Sequence, residues 1–344
     1  MTGAPSFERF DYILRTNKHI ERKLVFDVLH AASRIFGLGD HWYLGFGSMW
    51  FGDFRLAHKA LGIREMLSLE HQEHAERADF NRPFSCVSII PGESSQALPH
   101  VAEERWHAPV IAWLDYDKEL NGDVIADLDL LITKSAPNSV LILTLNGVRG
   151  TYRIRKPNGQ NTRSETSVGV VESFLGESST PARFIPSVNA AGVAQDVQES
   201  KFPEFFAEAL LTHLQHRLVH SAREVDGERL QFVPLYSISH KDGADMVTVG
   251  GSICKESDVH RWRTCVSDHP ILSDHNGVVN YCRLDLIPVT LKEKITLDSC
   301  LPLPVEDDAF LVSAKGAGLK LADDELRKYK KFYRHFPVFV ESSL

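Results

Sequence analysis

No stretch of this chain approaches the roughly 18 apolar residues that a membrane-spanning helix needs. Its opening, MTGAPSFERFDYIL, lacks the charged-then-apolar layout of a secretory signal, so a cytosolic protein without a membrane partner is expected. Cysteine is sparse. The five residues Cys86, Cys254, Cys265, Cys282 and Cys300 are widely separated and never form C-x-x-C, which argues against a zinc site or a disulfide framework and for buried reduced thiols. An excess of positive charge is also missing. With 38 Lys and Arg against 46 Asp and Glu, the net charge is −8, and general affinity for nucleic acid is not expected. No internal repeat is visible.

What is present is the balance of an ordinary globular protein, 43% hydrophobic and 24% charged. At 344 residues the chain is long enough for one large domain with an appendage, or for two domains. From Thr16 to Phe36, Ile20, Leu24, Val28, Ala31 and Ile35 recur at three- and four-residue intervals, which predicts an amphipathic helix ended by Gly37 and Gly39. Short apolar runs then alternate with helical stretches. Strands are expected at His41–Phe46, Met66–Glu70, Cys86–Ile90, Val110–Asp115 and Val140–Leu145, with helices at Phe51–Ala60, Gln72–Asn81, Ser95–Glu104 and Asp123–Ser135. That alternation predicts a parallel sheet covered on both faces.

Two further helices are expected at Thr166–Leu175 and Pro203–Arg223, the second with a core stripe of Phe206, Leu210, Leu214 and Leu218. The β-rich runs 230–239 and 245–253 flank Asp242-Gly243 and predict an antiparallel hairpin that completes the sheet. Pro234 points to an edge strand or a bulge. A last helix is expected over Asp323–His335, acidic at its start and basic at its end. The expected α/β organisation is a helical segment over 1–37, then a Rossmann-like, doubly wound, mostly parallel sheet over 38–255. The sheet ends in the antiparallel hairpin, carries a helical insertion at about 151–228, and is followed by a C-terminal cap or subdomain over 256–344.

The residues that suggest chemistry lie where these strands end. Gly45-Phe46-Gly47-Ser48 sits between the first strand and its helix, where glycine lets the backbone approach a ligand closely and exposed amides can receive a carboxylate. A tight packing turn explains the same glycines. Glu70 closes the next strand, 23 positions after Gly47, the spacing at which an acid receives the two hydroxyls of a ribose. The third strand runs into Gly92-Glu93-Ser94-Ser95 and the fourth into Asp115-Tyr116-Asp117. All four features fall at carboxyl ends of strands, the edge where open α/β sheets bind ligands.

As an ordered set, GFGS, SLEH, the Gly-Glu-Ser-Ser run before Ala97-Leu98-Pro99, WLDYD and LILTLNG resemble class I S-adenosylmethionine-dependent methyltransferases, and among them the O-methyltransferases. The terminal hairpin agrees with that fold. The resemblance implies that Gly45 and Gly47 pass beneath the methionine part of S-adenosylmethionine, that Ser48 beside them also binds the cofactor, and that Glu70 binds its ribose. It implies too that Gly92, Glu93 and Ser94 lie near the adenine and that Asp115 faces the methionine amine or a metal. The sequence departs from the family at two places. Tyr43 stands where an acid usually precedes the first glycine, and Leu145-Asn146 replaces the Asp-Asn of metal-dependent members. With only Asp115 and Asn146 left of the metal triad, no metal is expected.

Methyl transfer from a sulfonium needs an aligned nucleophile and sometimes a base, and Asp117 is the candidate base, with helix capping as its structural alternative. The methyl acceptor is open, with oxygen favoured over nitrogen because the Asn-Pro-Pro-Tyr type motif of amino-group enzymes is absent. His41, His71 and His74 are read as structural or surface residues, and Trp50, Phe51 and Trp113 as core. The basic segment 149–163, with Arg149, Arg153, Arg155, Lys156 and Arg163, suits either an acidic partner or a solvated loop. Two readings compete with the methyltransferase: a non-catalytic Rossmann-like interaction or regulatory protein, and a nicotinamide oxidoreductase, which would need a third glycine that is absent.

Overall fold

The computed structural model describes residues 15–154, 161–267, 269–273, 279–302 and 307–337. Helix α1 spans Thr16–Phe36 and ends at Gly37, whose φ of 63° is the left-handed conformation that glycine adopts without a Cβ penalty. The predicted alternation follows as β1 (Trp42–Gly45), α2 (Gly52–Leu61), β2 (Met66–Glu70), α3 (Ala75–Phe80), β3 (Val87–Pro91), α4 (Ser94–Ala97), β4 (Val110–Asp115), α5 (Gly122–Lys134) and β5 (Ser139–Asn146). The third helical stretch is the main departure from expectation. Four α-helical residues give way to 3-10 turns at Leu98–His100 and Glu103–His107, because Pro99 has no N–H to continue the ladder.

The insertion after β5 carries α6 (Ser167–Leu175), a two-stranded ribbon of β6 (Ser187–Val188) and β7 (Ala194–Gln195), α7 (Phe202–Ser221) and β8 (Glu224–Val225). The hairpin is β9 (Glu228–Lys241) and β10 (Asp245–Lys255), followed by α8 (Val259–Ser267), β11 (Cys282–Leu284), α9 (Leu291–Ser299), α10 (Asp307–Gly316) and α11 (Asp323–Phe332). The main sheet runs β11-β9-β10-β5-β4-β1-β2-β3, with β8 paired to β9. Strands β1 to β5 pair in parallel, and β10 pairs antiparallel with β5 from Met246↔Asn146 to Ile253↔Ser139. The expected Rossmann-like sheet with its antiparallel hairpin is therefore the observed one. Pro234 lies in β9, whose outer neighbours β8 and β11 are short, as an edge-tolerant residue should.

Strand β1 lies between β2 and β4, so the order of the sheet reverses there. Gly45 pairs with Ser68 on one side and Trp113 on the other. That reversal is the topological switch point where such sheets bind ligands. The core on which it rests includes Trp42, Leu44, Leu67, Leu114 and Leu143 together with the α7 residues Phe206, Leu210, Leu214 and Leu218, all of them buried. Trp113 and Phe51 are buried as expected, whereas Trp50 between the glycine turn and Phe51 is only partly buried.

By their contacts the described residues fall into two compact units: those within Val25–Ser239 and Gly243–Arg283, and those within Met1–Leu24, His240–Asp242 and Leu284–Leu344. The first holds strands β1 to β5. In the second, Leu297, Phe310, Leu326, Tyr329 and Phe332 are buried, and Asn17 ties α1 to the β9–β10 turn by donating from Nδ2 to Lys241 O and to Asp242 Oδ1. Helix α11 has the expected acidic first turn and basic last turn. No helix among the described residues is long and apolar enough to cross a membrane.

Candidate active site

The glycine turn is strained and self-supporting. Ser48 and Phe51 both have φ near 50°, a left-handed conformation that costs a non-glycine residue about 1–2 kcal/mol. Gly47 N–H donates to Ser68 Oγ at 2.7 Å, and Ser68 Oγ–H donates in turn to Glu70 Oε1 at 2.6 Å. Ser48 N–H donates to the same Glu70 oxygen at 2.9 Å. The acid at the end of β2 thus receives the turn at the end of β1, which joins the two features that sequence spacing paired. Gly47 also has a packing reason to be glycine: a Cβ there would lie 2.2 Å from Phe51 Cε1 and 2.9 Å from Ser68 Oγ. Both explanations of the glycine hold at one residue.

Glu70 is only 7% exposed. Burial raises its pKa above the ordinary carboxylate range, while the hydrogen bonds from Ser68, Ser48 and Gly47 oppose the rise. Its carbonyl accepts from Gly92 N–H at 2.7 Å, and Gly92 turns with φ 131°, a conformation open to glycine. Glu93 and His71, both about half exposed, pair at 2.8 Å between the β2 and β3 loops. The predicted adenine-side residues therefore sit directly beside Glu70. Ser94 is buried, and its hydroxyl donates inward to Asp127 at 2.5 Å.

Position 43 resolves differently from the sequence pattern. The Tyr43 hydroxyl donates to Asp53 Oδ2 at 2.5 Å, and that oxygen lies 3.4 Å from where a Gly45 Cβ would be. A carboxylate therefore does stand beside the first glycine, supplied by the first turn of α2 instead of by β1. Sequence reasoning missed Asp53 and Ser68. Their signals were an acid just inside a helix start and a polar residue in the otherwise apolar strand MLSLE, two positions from Glu70 and so on its face.

Asp115 ends β4 in a half-buried position, and Asp117 beyond it is exposed. Asn146 is held in its own turn: Val148 N–H donates to its Oδ1 at 2.8 Å, and the Tyr152 hydroxyl donates to its carbonyl at 2.7 Å. Tyr152 also accepts from Leu120 N–H at 3.0 Å, which ties the loops after β4 and β5 together. Among the described residues no group of three His, Cys, Asp or Glu is arranged to hold a metal ion.

Several of the surrounding candidates have internal partners. His41 Nε2 lies 3.0 Å from Asn138 O, and burial lowers its pKa. Arg149 donates to Val197 O at 3.0 Å, and Arg163 pairs with Glu172 at 2.8 Å, so these two cations of the basic segment have internal partners. Arg155 and Lys156 lie outside the described residues.

A comparison with curated proteins finds no match. Among solved structures the chain is similar to cofactor-bound Rv0187 from MTB, at 14% identity over 69% of this chain and 81% of that one, with a TM-score of 0.35. It is also similar to an S-adenosylmethionine-dependent methyltransferase from Mesorhizobium loti, at 11% identity over 62% and 90% of the two chains, TM-score 0.33. A third is human N-acetylserotonin methyltransferase in complex with SAM, at 12% identity over 74% and 61%, TM-score 0.30. The sequence model of a family described as "Putative O-methyltransferase" matches residues 10–344, nearly the whole chain, and the protein belongs to that family.

Proposed function

We propose that this protein transfers a methyl group from S-adenosylmethionine to an oxygen nucleophile, at the carboxyl edge of β1, β2 and β4, without a metal ion. The observation that carries this reading is the 2.9 Å bond from Ser48 N–H to Glu70, which brings the glycine turn and the ribose acid to one crevice. The donor set suits the cofactor. The bonds from Ser48 N–H and Ser68 Oγ–H both end on Oε1, and the ribose hydroxyls would meet the carboxylate at its second oxygen. Asp53, oriented by Tyr43, offers a carboxylate to the methionine ammonium, and Gly45 keeps that approach free of a side chain. Gly92 and Glu93 lie on the adenine side.

When bound, the sulfonium supplies an electrophilic methyl group whose transfer needs an aligned nucleophile more than acid–base machinery. Asp117, exposed just beyond β4, would take the acceptor's proton. A non-catalytic role was favoured by the tyrosine at position 43, and Asp53 removes much of that argument.

Calorimetric titration with S-adenosylmethionine, S-adenosylhomocysteine and NAD in parallel tests the reading. The first two are expected to bind and NAD is not, and absence of binding at millimolar ligand rejects the cofactor. Because Leu145 replaces a carboxylate, binding is also expected to be unchanged by EDTA. Loss on chelation, restored by Mg²⁺, would reject the metal-independent mechanism.

A further inference from the structure

One buried polar cluster goes beyond the roles assigned above: it includes Ser94, which the resemblance puts near the adenine but whose hydroxyl is turned inward to Asp127. Ser94 at the start of α4, Tyr116 just past β4 and Asp127 in the middle of α5 are 7%, 4% and 2% exposed. The Ser94 hydroxyl donates to Asp127 Oδ2 at 2.5 Å, the Tyr116 hydroxyl donates to the same oxygen, and the two hydroxyls lie 3.5 Å apart. Burial pushes the Tyr116 phenol far above its ordinary range, so it keeps its proton and remains a donor. Burial also raises Asp127, against which its two hydroxyl donors and the charge of Lys118 act.

A carboxylate inside a helix–sheet interface is costly unless its acceptor oxygens are used, and an apolar side chain would pack there without that cost. What the carboxylate adds is a tie between two loops. Ser94 belongs to the loop after β3 and Tyr116 to the loop after β4. The Tyr116 ring also meets Phe46 of the glycine turn edge-on, with centroids 5.1 Å apart. Three of the four loops around the proposed cofactor thus connect to one helix residue.

We infer that Asp127 is a positioning residue that, through Ser94 and Tyr116, fixes the separation of the β3 and β4 loops and so the fit of the adenosine half of the cofactor. This inference rests on the cofactor reading of the preceding section. The test uses the full chain, with Tyr116→Phe and Ser94→Ala each titrated with S-adenosylhomocysteine and with methylthioadenosine, which lacks the amino-acid end. Tyr116→Phe keeps the ring against Phe46 and removes the hydroxyl, with its bond to Asp127 and its 3.5 Å contact with the Ser94 hydroxyl.

Both ligands are expected to weaken by a common factor of about tenfold, the equivalent of about 1.4 kcal/mol, since the loss lies in the half they share. Ser94→Ala is expected to act in the same direction, and it decides alone if Tyr116→Phe does not fold. Folded variants that keep wild-type affinities, even with a lower melting temperature, would show a cluster that only packs, and the inference falls. It falls also if S-adenosylhomocysteine weakens while methylthioadenosine does not. A wild-type chain that binds neither ligand overturns the cofactor reading itself.

Discussion

Gly47→Ala is expected to lower both the stability of the protein and its affinity for S-adenosylmethionine. The added methyl would lie 2.2 and 2.3 Å from two atoms of the Phe51 ring, well inside any real carbon contact. Phe51 has little room to yield. It is fully buried, packs edge-on against Phe54 at 5.3 Å between centroids, and already holds a left-handed backbone. Forced overpacking of this kind costs about 1–3 kcal/mol, which in a domain of this size lowers Tm on the order of 5 °C. The same methyl would lie 2.9 Å from Ser68 Oγ, the hydroxyl that bonds both Gly47 N–H and Glu70. Displacing Ser68 displaces the acid proposed to bind the ribose, so affinity is expected to fall by at least about tenfold. Thermal unfolding and calorimetric titration of the variant measure the two effects. A protein that tolerates alanine with Tm and affinity unchanged would show that the turn has slack and that its glycine serves neither purpose.

How much of this was legible in the sequence depended on whether a feature is local. The alternation of β1 to β5 with helices reads directly, because apolar runs of strand length and glycine or proline punctuation are properties of neighbouring residues. Glu70 was found because its distance from Gly47 along the chain is itself the signal. Tyr43–Asp53 was hidden: the pattern expects an acid on β1, and the chain supplies it from α2 through a hydroxyl, a substitution visible only once helix and strand are side by side. Asp127 was hidden for the same reason, since its partners lie 33 and 11 residues away. The burial of Glu70 was only half legible: Ser68 lies two positions away on the same strand, whereas the Ser48 N–H that also covers the acid reaches it from 22 residues away. The acceptor remained unread because residues that choose a substrate obey no spacing rule.

The burial of Glu70 changes what its substitution should do. Removing the side chain in Glu70→Ala would leave Ser48 N–H and Ser68 Oγ without their acceptor, at about 1–3 kcal/mol for each buried group, and a clear loss of stability is expected. Glu70→Gln keeps a carbonyl oxygen where Oε1 stands, so its fold should hold. Its loss is of charge. Hydrogen bonds to a carboxylate are worth about 1.5–3 kcal/mol, and cofactor affinity should fall by roughly 10- to 100-fold. The pH dependence separates the two contributions. The folded pKa of Glu70 is raised above its unfolded value, so the folded state binds the proton more tightly. Its contribution to apo stability is therefore fully present below the unfolded pKa and is lost as pH rises through the raised folded value. Ligand binding runs the other way, because ribose hydroxyls donate to the deprotonated form: affinity should rise with pH through that same raised pKa and then level off. In Glu70→Gln both dependences should flatten, which thermal unfolding and titration across the acid range would measure. A wild-type affinity that does not change across this range, or a glutamine variant that binds as tightly as wild type at neutral pH, would mean that Glu70 only caps the glycine turn and that the ribose is held elsewhere.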